Sequence, residues 1–236
     1  METILYEDNQ IKEAATVVKN GGLVAFPTET VYGLGANALL PAAVKSVYAA
    51  KGRPSDNPLI VHVANFDQVK EYVDNFHPLT EKIVANYWPG PLTLIFSIKK
   101  DSLPQEVTGG LSTAAFRMPD QALTLALIEA AGVPLVGPSA NTSGKPSPTT
   151  ADHVYHDLAG KINGILDGGA TKIGVESTVL DLSDPTKPPM ILRPGAVTQE
   201  ELEALLDSPV LLDGHLVSAT EVPKAPGMKY KHYAPD

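Results

Sequence analysis

The chain contains no cysteine among its 236 residues. That absence excludes disulfide staples, thiolate metal sites and a cysteine nucleophile. Arginine is almost as scarce, confined to Arg53, Arg117 and Arg193. No apolar run approaches the length that a bilayer requires, and the N-terminal METILYEDNQIK lacks the apolar core of a secretion signal. Internal repeats and low-complexity tracts are also missing. Basic residues are in the minority, 18 against 27 acidic ones, for a formal charge of −9 and a pI near 5.1. Such a surface argues against general adhesion to nucleic acid or anionic membrane, but it leaves room for a local basic pocket. The chain reads as a soluble cytoplasmic protein.

What is present suits a globular chain of one large or two small domains, with 43% hydrophobic residues and 19% charged ones. Residues 9–20 place Ile11, Ala14, Ala15 and Val18 on one helical face, which Gly21-Gly22 ends. Leu23–Phe26 reads as a buried strand that empties into a loop over 27–35. Pro41 opens a helix ending near Ala50. Further strands are predicted at 59–63, 92–98, 113–117, 134–137, 178–182 and 190–193. Helices are predicted at 67–75, 80–87, 121–131, 150–159 and 198–206, with Thr198 and Glu201 spaced as a capping box. The alternation predicts an α/β, or mixed α+β, fold. From Ser208 onward the apolar periodicity fades, so 208–236 reads as an extended linker.

The stretch Lys51-Gly52-Arg53-Pro54-Ser55-Asp56-Asn57-Pro58-Leu59-Ile60-Val61-His62 is the most informative. Two cations one residue apart in a Gly/Pro-broken loop can clamp a polyanion, Arg as a planar fork and Lys as a point charge. They can equally be a solvated surface turn. The segment 137–149, Gly-Pro-Ser-Ala-Asn-Thr-Ser-Gly-Lys-Pro-Ser-Pro-Thr, follows an apolar strand and offers hydroxyls and backbone N–H groups to an anion. A mobile Ser/Pro loop is the alternative. Arg117 and Arg193 each close a predicted strand, where α/β sheets place ligands.

Other motifs fail on context. Gly33-Leu34-Gly35-Ala36-Asn37-Ala38 has dinucleotide spacing, but the next helix starts only at Pro41. Gly144-Lys145 lacks the first glycine and the Ser/Thr of a P-loop. Gly137-Pro138-Ser139-Ala140-Asn141 lacks the second glycine of a nucleophile elbow. His153 and His156 stand three apart on a predicted helix, either as a metal pair or as partly exposed helix residues.

Taken together, PTETVYGLG (27–35), KGRPSDNPLIVHV (51–63), WPGPLTLI (88–95), FRMP (116–119), PLVGPSANTSGKPSPT (134–149), ESTV (176–179) and ILRPG (191–195) resemble the YrdC-type threonylcarbamoyl-AMP synthase family. The tail APGMKYKHYAP (225–235) resembles the interdomain linker of the longer, two-domain branch, whose C-terminal domain is expected to be absent here. The resemblance implies a YrdC-like catalytic domain over 1–207, with a twisted, largely mixed sheet flanked by helices around a concave pocket. Residues 208–236 would be a linker able to act as a lid. It implies synthesis of threonylcarbamoyl-AMP from L-threonine, bicarbonate and ATP with release of pyrophosphate, for modification of tRNA. Mg2+ would accompany ATP, no organic cofactor is called for, and a tRNA or a tRNA-modifying transferase would be the downstream partner. By the same resemblance, Lys51 and Arg53 are the catalytic pair. With Asn57, Ser139, Asn141, Ser147, Arg193 and Tyr230 they would bind the nucleotide, while Thr30, His62, Arg117 and Ser177 would bind L-threonine. No protein metal ligands are identified. The alternative is a noncatalytic double-stranded-RNA-binding module of the same fold. A carbamoyl-transfer domain of the hydrogenase-maturation type would carry zinc modules that a cysteine-free chain cannot supply.

Overall fold

Short apolar strands are interspersed with helices in the computed structural model, which describes residues 1–53, 57–172 and 175–214. The strands are β1 (Ile4–Tyr6), β2 (Val24–Pro27), β3 (Tyr32–Asn37), β4 (Ile60–His62), β5 (Leu92–Ser97), β6 (Thr113–Arg117), β7 (Leu135–Val136), β8 (Gly164–Leu166), β9 (Thr178–Asp181), β10 (Met190–Arg193) and β11 (Leu211–Leu212). The helices are α1 (Ile11–Lys19), α2 (Pro41–Lys51), α3 (Phe66–Lys70), α4 (Thr80–Tyr87), α5 (Gln105–Thr108), α6 (Ala122–Ala131), α7 (Ala151–Leu158) and α8 (Gln199–Leu206).

Among the described residues the strands form one mixed sheet in the order β1-β8-β2-β3-β7-β4-β6-β5-β9-β10-β11. Its centre is covered on both faces, and β2 shows how. Leu23 and Ala25 point into a cluster with Val44, Val47 and Leu158 on one side. Val24 and Phe26 point to the other, against Ala14, Ala15 and Val18 of α1 and Leu127 and Ile128 of α6. A central strand buried on both faces loses polar alternation, which is why it reads as a continuous apolar run. Phe26 is fully buried and contributes roughly 1.5–3 kcal/mol through burial alone.

The expected α/β architecture is present, and so are most of the predicted elements. The main difference is β3, which sequence reading leaves as a loop. Gly33 and Gly35 weaken its strand signal, yet packing requires them. A Cβ at Gly35 would lie 2.6 Å from the Val24 carbonyl oxygen and 2.9 Å from the Phe26 ring. The strands β1, β8 and β11 and the short α5 are likewise unforeseen, and the helix predicted at 67–75 ends at Lys70. Thr198 caps α8, its hydroxyl accepting from the Glu201 N–H at 3.1 Å. No helix among the described residues is long and apolar enough to cross a membrane.

Candidate active site

Sheet register brings the first two site residues together. β4 and β6 run parallel with His62 opposite Arg117, so both side chains emerge at neighbouring C-terminal strand ends. Opposite them, the turn between β2 and β3 presents Thr30, its hydroxyl 2.9 Å from that of Thr28. Past β7, the chain bridges back from Ser139 to Gly33. Arg193 ends β10, and Ser177 precedes β9. These groups form a solvent-open pocket lined by Thr30, Val31, Arg53, Pro58, Leu59, Ile60, His62, Arg117, Gly137, Pro138, Ser139, Glu176, Ser177 and Arg193.

All three arginines of the chain therefore share one wall system, and two are held by carboxylates. Arg117 is 4% exposed. It forms an ion pair with Glu29, donates from Nε to the Gly90 carbonyl at 3.3 Å, and donates from Nη1 to Thr30 Oγ1 at 3.3 Å. Arg193 pairs with Glu176 at 3.1 Å and donates from Nη2 to Ser177 O at 2.9 Å and Ser177 Oγ at 3.2 Å. Burial, and then the Arg193 charge, lower the Arg117 pKa from its ordinary value. Burial does the same to Arg193. An anion entering the cavity would relieve this crowding of positive charge.

His62 is 1% exposed, and burial pushes its pKa down to about 4, so the imidazole is neutral near pH 7. It meets Phe26 edge-on at 5.3 Å between ring centroids. A Cβ on Gly137 would lie 2.9 Å from its Nδ1, so glycine there lets the loop close over the ring. His62 Nδ1 and Ser139 Oγ are buried on this wall with no protein partner, as are Asn141 Oδ1 and both polar side-chain atoms of Asn57 nearby. Buried polar atoms are almost always satisfied, so such a group of orphans points to a missing polar ligand.

Of the residues singled out from sequence, Thr30, Arg53, His62, Arg117, Ser139, Ser177 and Arg193 reach the cavity. Lys51 lies behind the wall instead. At 2% exposure, its ammonium donates to the carbonyls of Ser139 and Asn141, the latter at 3.0 Å. It is thus no solvated surface-turn residue. Burial, and then the neighbouring Arg53 charge, push its pKa down to about 7. Asn141 is also turned inward, its amide donating to Thr142 O at 2.8 Å and Lys145 O at 2.9 Å. Asn57 is fully buried, with its carbonyl accepting from the Tyr48 hydroxyl at 2.5 Å. Ser147 lines a separate cavity of about 780 Å3 with Lys145, Pro146, Pro148, Thr149, His153, His156 and Asp157. Both histidines are exposed on α7, and no group of three or more metal-ligating side chains exists among the described residues. Tyr230 lies outside the described residues.

Sequence reading missed Glu29 and Glu176, and named Gly137 only as the start of the 137–149 loop, without its close approach to His62. Glu29 and Glu176 each directly precede a named residue within a quoted block, and their signal was an isolated acid beside a small hydroxyl residue. What no spacing could show was that each acid would face an arginine from another block.

A model of the Sua5/YciO/YrdC family, described as "Telomere recombination", matches residues 16–195. The chain belongs to that family. A second model, described as the threonylcarbamoyl-AMP synthase C-terminal domain, matches residues 197–236. The expected absence of the C-terminal domain is therefore right only in part, because α8, β11 and the tail carry a match to that domain's model. The chain is 54% identical over 228 residues to threonylcarbamoyl-AMP synthase of Bacillus subtilis, covering 97% of this chain and 65% of the relative. It is 50% identical over 229 residues to the enzyme of that name from Pyrococcus abyssi, covering 97% and 66%. It thus spans about two thirds of these relatives' length. The crystal structure of P. abyssi Sua5 complexed with L-threonine superposes with a TM-score of 0.91 at 48% identity, over 100% of this chain and 69% of that one. Escherichia coli YciO, at 23% identity and a TM-score of 0.72 over 85% of this chain and 99% of that one, shares the fold.

Proposed function

We propose that this chain carries an L-threonylcarbamoyladenylate synthase site. The observation that carries the reading is a cavity where the chain's three arginines meet a neutral histidine and small hydroxyls. The relatives' shared name and the threonine complex of the P. abyssi protein support it.

The reaction would consume L-threonine, bicarbonate and ATP and yield threonylcarbamoyl-AMP, pyrophosphate and water. Threonine's amine, once deprotonated, adds to the carbon of bicarbonate-derived carbon dioxide and forms an N–C bond. A carbamate oxygen then attacks the α-phosphorus, and the bond from that phosphorus to the bridging oxygen of pyrophosphate breaks. No covalent enzyme intermediate is required, so catalysis rests on placement and charge stabilisation. Arg53 and Arg193 would face the phosphates with Ser139 and Asn141, and Lys51 would hold the 139–141 loop in shape. Asn57 and Ser147 would complete the nucleotide site. Arg117 would take the threonine carboxylate, and Thr30, His62 and Ser177 its hydroxyl and amine, since neutral imidazole can accept a hydrogen bond at Nδ1.

Mg2+ arriving with ATP would neutralise phosphate charge. The wall fits this role with one carboxylate, Glu176, because Mg2+ on nucleotides takes most of its ligands from phosphates and water. The unit would comprise residues 1–207, with 208–236, including Tyr230, as the segment able to close over the cavity and protect the labile mixed anhydride. The product would serve a tRNA-modifying transferase in the cytoplasm.

Pyrophosphate release from ATP tests this reading. It should depend on both L-threonine and bicarbonate. Equal rates with serine, or with carbamoyl phosphate in place of bicarbonate, would overturn the substrate assignment.

A further inference from the structure

We propose that Glu29 is a positioning residue that fixes the amino-acid specificity of the cavity by orienting Arg117, an inference that rests on the threonine reading above. Glu29 does not line the cavity; it stands behind the guanidinium that does. Its two carboxylate oxygens hold the same short segment at two points. Oε1 accepts from Arg117 Nη2, and Oε2 accepts from the backbone N–H of Asp120 at 2.7 Å. The paired side chains are only 5% and 10% exposed.

Gly90 O and Thr30 Oγ1 take two further donors of Arg117. A guanidinium has five N–H donors in one plane. Three are committed to Gly90, Thr30 and Glu29, which sets the plane and leaves a pair to meet a carboxylate in the cavity. The same turn supplies both controls. Glu29 sets the far side of the fork, and the adjacent Thr30 sets the near side. A carboxylate-bearing ligand with a β-hydroxyl would then meet Arg117 and Thr30 together, in one fixed spacing.

The fork must also keep its charge on the cavity side, beside Arg193, which opposes it electrostatically. Glu176 counters that repulsion, while the Glu29 carboxylate paired with Nη2 keeps the side chain from turning away. Neutral Gln at position 29 retains an oxygen acceptor and the shape, but loses this charge. Asp retains the charge on a side chain shorter by one methylene.

The test is calorimetric titration of the 236-residue chain with L-threonine, alongside ATP titration and thermal melting. Wild-type protein that fails to bind L-threonine overturns the functional reading itself. Given wild-type binding, Glu29→Gln should weaken L-threonine binding at least about tenfold and leave ATP binding within about twofold. Glu29→Asp should fall between Gln and wild type. The gap between the affinities for L-threonine and L-valine, its near-isostere without the β-hydroxyl, should narrow in Glu29→Gln. Unchanged threonine affinity in a folded Glu29→Gln protein overturns the inference, as does an equal loss for ATP and threonine. If neither variant melts cooperatively, Glu29 holds the fold and the positioning role is overturned.

Discussion

His62 is a buried imidazole whose neutral form is enforced by its surroundings, and this gives the protein a specific acid sensitivity. Its folded pKa is about 4, against an ordinary value of 6.5. Between those two values the unfolded chain binds more protons than the folded one. Stability is therefore fully present above pH 6.5 and declines by about 1.4 kcal/mol per unit as pH falls towards 4. Urea midpoints of wild type and His62→Gln should converge on going from pH 7 to pH 5, because only the wild type carries this slope. Midpoints that shift in parallel would show that His62 is protonated without cost. Arg117 and Arg193 make the complementary case. Arg117 is buried and Arg193 partly buried, each paired with one acid, and no composition figure hints at that pairing.

At the scale of elements, the end of α2 decides what the Lys51–Arg53 stretch does. Gly52 adopts a left-handed conformation, φ 67° and ψ 36°, and closes the helix with its N–H on Ala49 O. The helix delivers Lys51 inward, while Arg53 beyond the turn reaches the cavity. Lys51 thus ties α2 to the loop after β7. Lys51→Met leaves the Ser139 and Asn141 carbonyls without their buried donor, at a cost of about 2 kcal/mol. It should also weaken ATP binding through loss of loop shape. Urea unfolding and ATP titration would reveal this, and a variant equal to wild type in both would contradict the tie. Legibility in the sequence follows the same division. Strands such as β5 and β6 and helices such as α1 and α6 announce themselves through apolar runs and caps. By contrast, β3 is hidden by glycines that close packing demands, and β8, at three residues, is too short to leave a periodic signal. For the site, the residue types and their strand-end positions were readable. The inward turn of Lys51 and the acids Glu29 and Glu176 depend on contacts between distant blocks, which no local pattern encodes.

For the whole molecule, sheet order explains how so few arginines make one site. Arg117 on β6 and Arg193 on β10 are separated by β5 and β9. They nevertheless line one pocket and lie close enough for one to depress the other's pKa. The protein carries a net −9, so this cluster is a local positive site on an acidic body, suited to a small anion more than to a long polyanion. On the proposed reading, this site joins threonine, bicarbonate and ATP in one product, and mass spectrometry of a reaction with 13C-bicarbonate is the decisive measurement. A threonylcarbamoyl-AMP species that carries the label and forms only when all three substrates are present is the expected result. Pyrophosphate release without a labelled adenylate, or an adenylate formed without threonine, would contradict it.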